Sequence, residues 1–327
     1  MARGTGGGFT KLRYTIIMEK DNVAISGINS FAGRYLAEEL HSKGSSVIGI
    51  GRESEIDPSI ADLVDEYHQA DLTKKWPEMS RARAIIHLAS TAGIPLFEKP
   101  IQYKQHIETN SSIINNLCEY SIHQDYKPRL VVVSGGDIYN PNQPMAIDEG
   151  GEIDFRSPEG ASRFLTEDKL PYYRERGLDA IVVRPFSQIG PGQGKGNILP
   201  DLYNSLASLG SNEHATIDDN FEARHDDTTD IRDIVRAYGR IALVKFLQHD
   251  IYNVCSGSSV SEQEIFYSLK NAMGLNDNGH EVDQTTLLHN DVGNNVGNSS
   301  RLTDELGWYP RISLRQTVAD FVESKGL

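Results

Sequence analysis

Short, uninterrupted apolar runs alternate along the chain with stretches whose apolar residues recur at helical spacing. The runs are Asn22–Ser26 (NVAIS), Ser46–Ile50 (SVIGI), Ala84–Leu88 (AIIHL), Arg129–Ser134 (RLVVVS) and Asp179–Arg184 (DAIVVR). Between them lie the helical patterns Phe31–Ser42, Ile107–His123 and Ala161–Arg176. Continuous β-branched runs suit strands buried on both faces, whereas half-exposed strands alternate apolar with polar positions. Strand–helix alternation then predicts an α/β fold. It is a doubly wound, mostly parallel sheet with helices on both sides.

The pattern changes after about Pro185. GPGQGKGNILP is a Gly/Pro loop, Asp218–Asp227 is acidic and irregular, and Gly274–Asn298 is polar and rich in Asn and Asp. Ile231–Lys245 and Ser261–Met273 read as helices, Ile251–Val254 as a short strand, and Arg301–Phe321 as two helices broken at GWYPR. The expected organisation is a loose leader over residues 1–20, a dinucleotide-sized α/β domain over 21–185, and a small irregular α+β lobe over 186–327. The last helices of that lobe pack back on the main domain. Such a lobe caps the carboxyl ends of the strands, where ligands bind in open α/β sheets.

The formal net charge of -14 repels polyanions, which argues against nucleic acid and anionic membrane as partners. No apolar run approaches the ~18 residues of a membrane-spanning helix. The Gly-rich, basic first residues lack the apolar centre of a signal peptide. The two cysteines, Cys118 and Cys255, sit in apolar contexts and read as buried thiols of a reducing compartment. A cytoplasmic location follows by default, and no metal site is assigned.

The first strand runs into Gly27-Ile-Asn-Ser-Phe-Ala-Gly33 and then a helix. A dinucleotide turn needs a glycine for the bend, a small residue beside the pyrophosphate, and a glycine where helix packs on strand. Gly27, Ser30 and Gly33 meet these needs in order, with Asn29, Phe31 and Ala32 around them. Ser30 brings a hydroxyl that can donate to a phosphate. The second strand ends in Gly51-Arg52. NAD-binding chains place a carboxylate there for the ribose hydroxyls. A glycine and an arginine leave room and charge for a 2′-phosphate, favouring NADP over NAD. Asp71 is a candidate acceptor for the adenine amino group, with Leu72 beside it.

Several ordered motifs carry a family resemblance: GINSFAG, IIHLAS, N-x-x-I-I-N-N-L from Asn110, VVVSGGDIYN, GLDAIVVRPFSQIGPGQ, TDIRDIVRAY, YNVCSG and LGWYPRISL. From about residue 21 to 324 the chain resembles extended short-chain dehydrogenases/reductases of the NAD-dependent epimerase/dehydratase family, nearest in flavour to nucleotide-sugar dehydratases and 4-ketoreductases. The resemblance implies a Rossmann-type sheet, an NAD(P) cofactor, and a nucleotide-linked sugar that exchanges a hydride at C4. It implies a homodimer through a four-helix interface formed by Ile107–His123 and Ala161–Arg176. It adds Leu88, Ala89, Ser90, Asn110 and Pro185 to the cofactor set. Ser187, Asn197, Arg224 and Arg232 form the substrate set.

The chain departs from the family at its chemistry. The family's Ser/Thr falls on Gly135, with Ser134 adjacent. Its Tyr and Lys, four residues apart on a helix, fall on Glu159 and Arg163. Its phosphate-gripping arginine falls on Asp226, two residues from Arg224. Arg163 can take over the lysine's hold on the nicotinamide ribose through its fork of donors. A carboxylate beside a fixed cation serves as a base better than as an acid, which favours elimination or isomerisation over ketone reduction. Glu159 is therefore a candidate base. Asp137 and His87 are secondary candidates, and Tyr139 is mainly structural. Glu and Arg at i, i+4 also form a common exposed helical ion pair. Three readings stay open: a divergent NADP-dependent sugar-modifying enzyme, a non-catalytic dinucleotide-binding regulator, and a subunit that pairs with an active homologue.

Overall fold

The structure, a computed structural model, describes residues 20–90, 100–144, 146–155, 157–208, 225–275 and 295–326. Most of the expected leader, and Arg224 of the expected substrate set, lie outside these residues. The strands are β1 Asn22–Ser26, β2 Ser46–Gly51, β3 Glu66–Gln69, β4 Ala84–His87, β5 Arg129–Val133, β6 Ala180–Pro185, β7 Ser187–Ile189, β8 His225–Asp230, β9 Ile251–Val254 and β10 Ser259–Ser261. The helices are α1 Phe31–Ser42, α2 Pro100–Ile122, α3 Pro158–Glu167, α4 Leu170–Arg174, α5 Ile198–Ala207, α6 Ile231–Leu243, α7 Glu262–Ala272, α8 Ser300–Leu306 and α9 Leu314–Glu323.

Seven strands form one parallel sheet in the order β3-β2-β1-β4-β5-β6-β9. Successive residues of β1 feed opposite cores. Val23 and Ile25 pack with residues of α1 and α6, and Ala24 packs with residues of α2 and α4. Both faces are covered, which is why the strands read as unbroken apolar runs. The winding direction reverses between β1 and β4, and this switch point opens a crevice at the carboxyl ends of the strands.

Two of the differences from expectation change the architecture. The helix predicted over Ala161–Arg176 is split into α3 and α4. Pro171 has no N–H to offer the carbonyl of Glu167, so the ladder breaks there. The chain after residue 186 is also not one lobe. Helix α6 packs on α1, and β9 pairs with β6 at the edge of the main sheet.

The lobe itself is built on a three-stranded sheet of order β10-β8-β7. Its core joins Ile189, Leu199, Ile265, Phe266, Val318 and Phe321. Its middle strand reads HDDTTD, a composition poor in strand formers. Pairing on both sides holds it extended. Asp227, fully buried, turns inward to accept from the N–H groups of Ser256 (2.7 Å), Gly257 (2.8 Å) and Gly297 (3.2 Å). Helix α5 replaces the end of the expected Gly/Pro loop. Among the described residues no helix is long and apolar enough to cross a membrane.

Candidate active site: two clefts with a common wall

A first cleft of about 450 Å³ lies over the β1–α1 turn. Gly27 has φ of 78°, and a side chain there would press on the Ala89 backbone at 3.1–3.2 Å. A Cβ on Gly33 would collide with the carbonyls of Gly27 and Ile28, so helix α1 approaches the turn only because that position is bare. Ser30 caps α1 by accepting from Gly33 N–H at 3.1 Å, which leaves its own O–H to face the cleft. This backbone cradle at a helix N-terminus fits a dinucleotide pyrophosphate.

The rest of the expected cofactor set gathers on the same cleft. Asn29, Phe31, Ala32, Arg52, Asp71, Leu72, Leu88, Ala89, Ser90, Asn110, Arg163 and Pro185 all border it. Asn29 also orders the loop after β2, accepting from Asp57 N–H at 2.9 Å and donating to the Glu55 carbonyl at 3.1 Å. Asp71 closes a turn by accepting from Thr73 N–H (3.1 Å) and Oγ1 (2.6 Å), bonds that lower its pKa. Glu53 also borders this cleft, with its carboxylate 3.4 Å from Asn29 Nδ2, and was missed by the sequence reading. It stands two residues beyond the end of β2, next to Arg52. His87 sits at the floor, its Nδ1 2.6 Å from Ser26 Oγ, and burial pushes its pKa down to about 4. A neutral, buried imidazole of this kind packs and hydrogen-bonds.

A second cleft of about 500 Å³ lies between the main sheet and the lobe. Ser187, Asn197, Thr228, Asp226, Asp137 and Glu262 border it. Asp226 therefore borders the cleft between the sheet and the lobe. Arg232 does not. Its guanidinium is tied to Asp230 at 2.8 and 2.9 Å and to Asp320 at 2.6 Å, and it borders neither cleft. The assignment of Arg232 to substrate is corrected by this clamp, which joins α6 to α9.

Ser134, Arg163, Pro185 and Gln188 border both clefts. Helix α3 sets Arg163 there. Ser157 caps the helix by accepting from Gly160 N–H at 2.9 Å, Pro158 opens the first turn, and Glu159 adds a carboxylate to it. Arg163 lies one turn on, and its Nη1 pairs with Asp137 rather than with Glu159. Among the described residues Glu159 makes no ion pair, and it borders neither cleft. The guanidinium takes the space above Gly135. A Cβ on Gly135 would fall inside the contact radii of Arg163 Nη1 and Asp137 Oδ1 and 3.0 Å from Arg163 Cζ.

Behind this wall, Asn110 donates to Ser162 Oγ at 2.8 Å and lies 3.3 Å from His106 Nε2. His106 is buried one helical turn before Asn110. Burial lowers its pKa, Glu159 opposes that shift, and Arg163 adds to it. Nothing in the sequence singled it out except its i−4 relation to Asn110. Tyr139 is structural as expected. Its hydroxyl donates to Asn253 at 2.8 Å and accepts from Arg184 at 2.7 Å, and burial pushes its pKa up to about 12. Arg184 is itself buried against Glu167, at 2.6 Å.

The model of the NAD dependent epimerase/dehydratase family matches residues 23–255. The chain belongs to that family. A curated family relative, the GDP-6-deoxy-D-mannose reductase of Pseudomonas aeruginosa, is 26% identical over 314 residues, covering 90% of this chain and 93% of the relative. Two solved structures share the fold. The UDP-glucose 4-epimerase of Thermotoga maritima with UDP-glucose superposes at a TM-score of 0.75 and 20% identity, covering 93% of this chain and 98% of that one. An NAD-dependent NDP-hexosamine 5,6-dehydratase superposes at 0.75 and 18%, covering 94% and 98%.

Proposed function

We propose that this protein is an NAD(P)-dependent, sugar-modifying enzyme acting on a nucleotide-linked sugar or a related small molecule. The single observation that carries this reading is the wall common to both clefts. A ligand in the cofactor cleft and one in the lobe-side cleft meet across Ser134, Arg163, Pro185 and Gln188. Bound there, the nicotinamide supplies a hydride acceptor or donor. Arg163 holds the nicotinamide ribose in place of the family's lysine. Asp137 borders the lobe-side cleft and accepts the proton released from a substrate hydroxyl, a role for which it is better placed than Glu159. Ser187, Asn197 and Gln188 orient the sugar.

NADP is the preferred cofactor in this reading. Arg52 stands exposed at the lip of the cleft beyond the bare Gly51, open to a 2′-phosphate. Glu53, held by Asn29, is the competing acceptor for ribose hydroxyls. The protein forms a homodimer through α2 and the α3–α4 pair, a reading supported by exposed Tyr103, Leu165 and Tyr172 on those helices.

The test compares Asp137→Asn with Glu159→Gln on a panel of GDP- and UDP-hexoses with NADP and NAD. Asp137→Asn is expected to abolish most turnover, and Glu159→Gln to leave it near wild type. The reverse order refutes the assignment of the base. Arg52→Asp is expected to turn the cofactor preference toward NAD, and an unchanged ratio of NADP to NAD affinity refutes the NADP reading. A second reading rests on the replacement of the family's Tyr/Lys pair by Glu159 and Arg163. In it the protein binds dinucleotide as a regulatory or partner subunit, and NADP binding without hydride transfer on any sugar nucleotide favours it.

A further inference from the structure

We infer that a third cleft, at the amino ends of the strands, binds a soluble anion carrying two or more phosphate groups. It lies at the opposite end of the main sheet from the two clefts above, and the inference stands apart from the enzymatic reading. Three observations carry it.

The first is the cleft. Its volume is about 890 Å³, and it is bordered by residues at or just before the starts of β1, β2, β4, β5 and β6 and by the C-terminal end of α6. Tyr126, Ala242 and Val244 are its only apolar or aromatic wall residues among those described. That leaves no slot for a nucleobase, so recognition there falls to charge.

The second is an excess of positive charge that the fold does not use. Six cations border the cleft: Lys20, Arg81, Arg83, Lys127, Arg129 and Lys245. Two of them hold the scaffold. Arg83 donates to Asp21 at 2.7 Å and to the Leu243 carbonyl at 2.6 Å. Arg129 donates to Asp179 at 2.8 Å and to the carbonyls of Ile241 and Val244 at 3.0 and 2.6 Å. These carbonyls end α6, where its dipole is negative and cations are welcome. The same bonds engage both carboxylates of the cleft. The other four cations are exposed and make no ion pair among the described residues. Arg81 rests on the ring of Tyr126 at 5.1 Å, which occupies the face of its guanidinium and leaves the in-plane fork of donors free. The net charge of -14 repels polyanions as a whole. Salt confines that field to about 8–10 Å, so the local sign decides what this cleft takes. Three ammonium groups and one fork match the charge density of linked phosphates better than a single carboxylate does.

The third is the backbone at Lys127. Its φ is 41°, in the left-handed region, and Pro128 follows it. Glycine or asparagine holds such a turn at lower cost, yet the position carries a lysine. Strain of this kind gathers at ligand-binding segments.

The experiment is calorimetric titration of the full chain with sodium tripolyphosphate, at low salt, with and without NADP. Sulfate at equal ionic strength is the reference anion. Wild type is compared with Arg81→Gln, Lys127→Gln, Lys245→Gln, the triple variant, and Lys104→Gln on α2 as a control. Wild type is expected to bind tripolyphosphate more tightly than sulfate, with or without NADP, and to gain melting temperature from it. Each single variant is expected to weaken binding roughly 3- to 10-fold, between the values for an exposed ion pair and for a full charge-assisted hydrogen bond. The triple variant is expected to lose roughly 30-fold or more, and Lys104→Gln nothing. Without ligand, the triple variant is expected to melt no lower than wild type, because it loses repulsion rather than bonds. Absence of binding by wild type, equal affinity for sulfate, or wild-type affinity in the triple variant overturns the inference. Loss of binding when NADP is added also overturns it, by placing the anion on the glycine turn. Phosphatidylcholine vesicles containing phosphatidylinositol 4,5-bisphosphate present the same chemistry on a surface. Binding to them without binding to tripolyphosphate overturns the soluble ligand.

Discussion

Adding one methyl group at Gly135 separates site geometry from stability. Gly135 is extended, with φ of -170° and ψ of 158°, so alanine adopts its backbone without strain. The new Cβ overlaps Arg163 Nη1 and Asp137 Oδ1, the ends of two flexible side chains, so the guanidinium is expected to shift from its place. Both partners of that ion pair are more than a third exposed, at 39% and 38%, so its loss costs at most about 1 kcal/mol. The less flexible unfolded chain returns about 0.4–1 kcal/mol. The net change in stability is therefore within about 1 kcal/mol, a shift of no more than ~2–4 °C in melting temperature. The cofactor cleft loses a charged donor. A hydrogen bond to a charged group contributes ~1.5–3 kcal/mol, so NADP affinity falls roughly 10- to 100-fold. Calorimetric titration of NADP against wild type, Gly135→Ala, Arg163→Ala and the double variant forms a closed cycle. The two single variants are expected to lose equally, and the double variant to lose no more than either. Unchanged affinity in Gly135→Ala, or additive losses in the double variant, refutes the claim that Gly135 exists to house Arg163.

Two further outcomes test the scaffold. His87 is buried and neutral, with a pKa depressed from 6.5 to about 4, so the unfolded chain binds the extra proton between those values. Its stability contribution is present above about pH 6.5 and is lost as pH falls toward 4, by roughly 3 kcal/mol at ~1.36 kcal/mol per pH unit. Denaturant melts of wild type and His87→Asn across that range are expected to diverge, with the variant losing less on acidification; parallel curves refute the argument. Asp227→Ala removes the buried acceptor of the Ser256, Gly257 and Gly297 N–H groups, of which only the Gly297 bond is fully buried, and is expected to cost about 2–3 kcal/mol, read as a lower denaturant midpoint. A loss under ~1 kcal/mol would show that water replaces the carboxylate there.

The main sheet was legible because its signals are local. Asn22–Ser26, Phe31–Ser42 and Ile251–Val254 form elements with the bounds that their hydrophobic patterns predict. A strand buried on both faces has to be apolar throughout, and a helix start is marked by its cap, so each is written in adjacent residues. The glycine turn was legible for the same reason, since Gly27 and Gly33 answer steric demands that no other residue meets.

What depended on the partner across space was not written there. HDDTTD becomes a strand only because β7 and β10 pair with it and loop N–H groups receive Asp227. Arg232 looked like a substrate ligand until Asp230 and Asp320 claimed all of its nitrogens. Glu159 and Arg163 have the spacing of a helical pair, yet the guanidinium turns to Asp137, 26 residues earlier in the chain. A four-residue spacing states only that two side chains share a helix face. Which charge a long side chain meets is decided by the volume left open, and the volume at Arg163 is open because Gly135 has no side chain. The sequence by itself determined the sheet, the glycine turn after its first strand and the family to which the chain belongs. Only the folded chain decided how Gly135, Asp137 and Arg163 fit together, because that outcome depends on steric exclusion between residues that are distant in sequence.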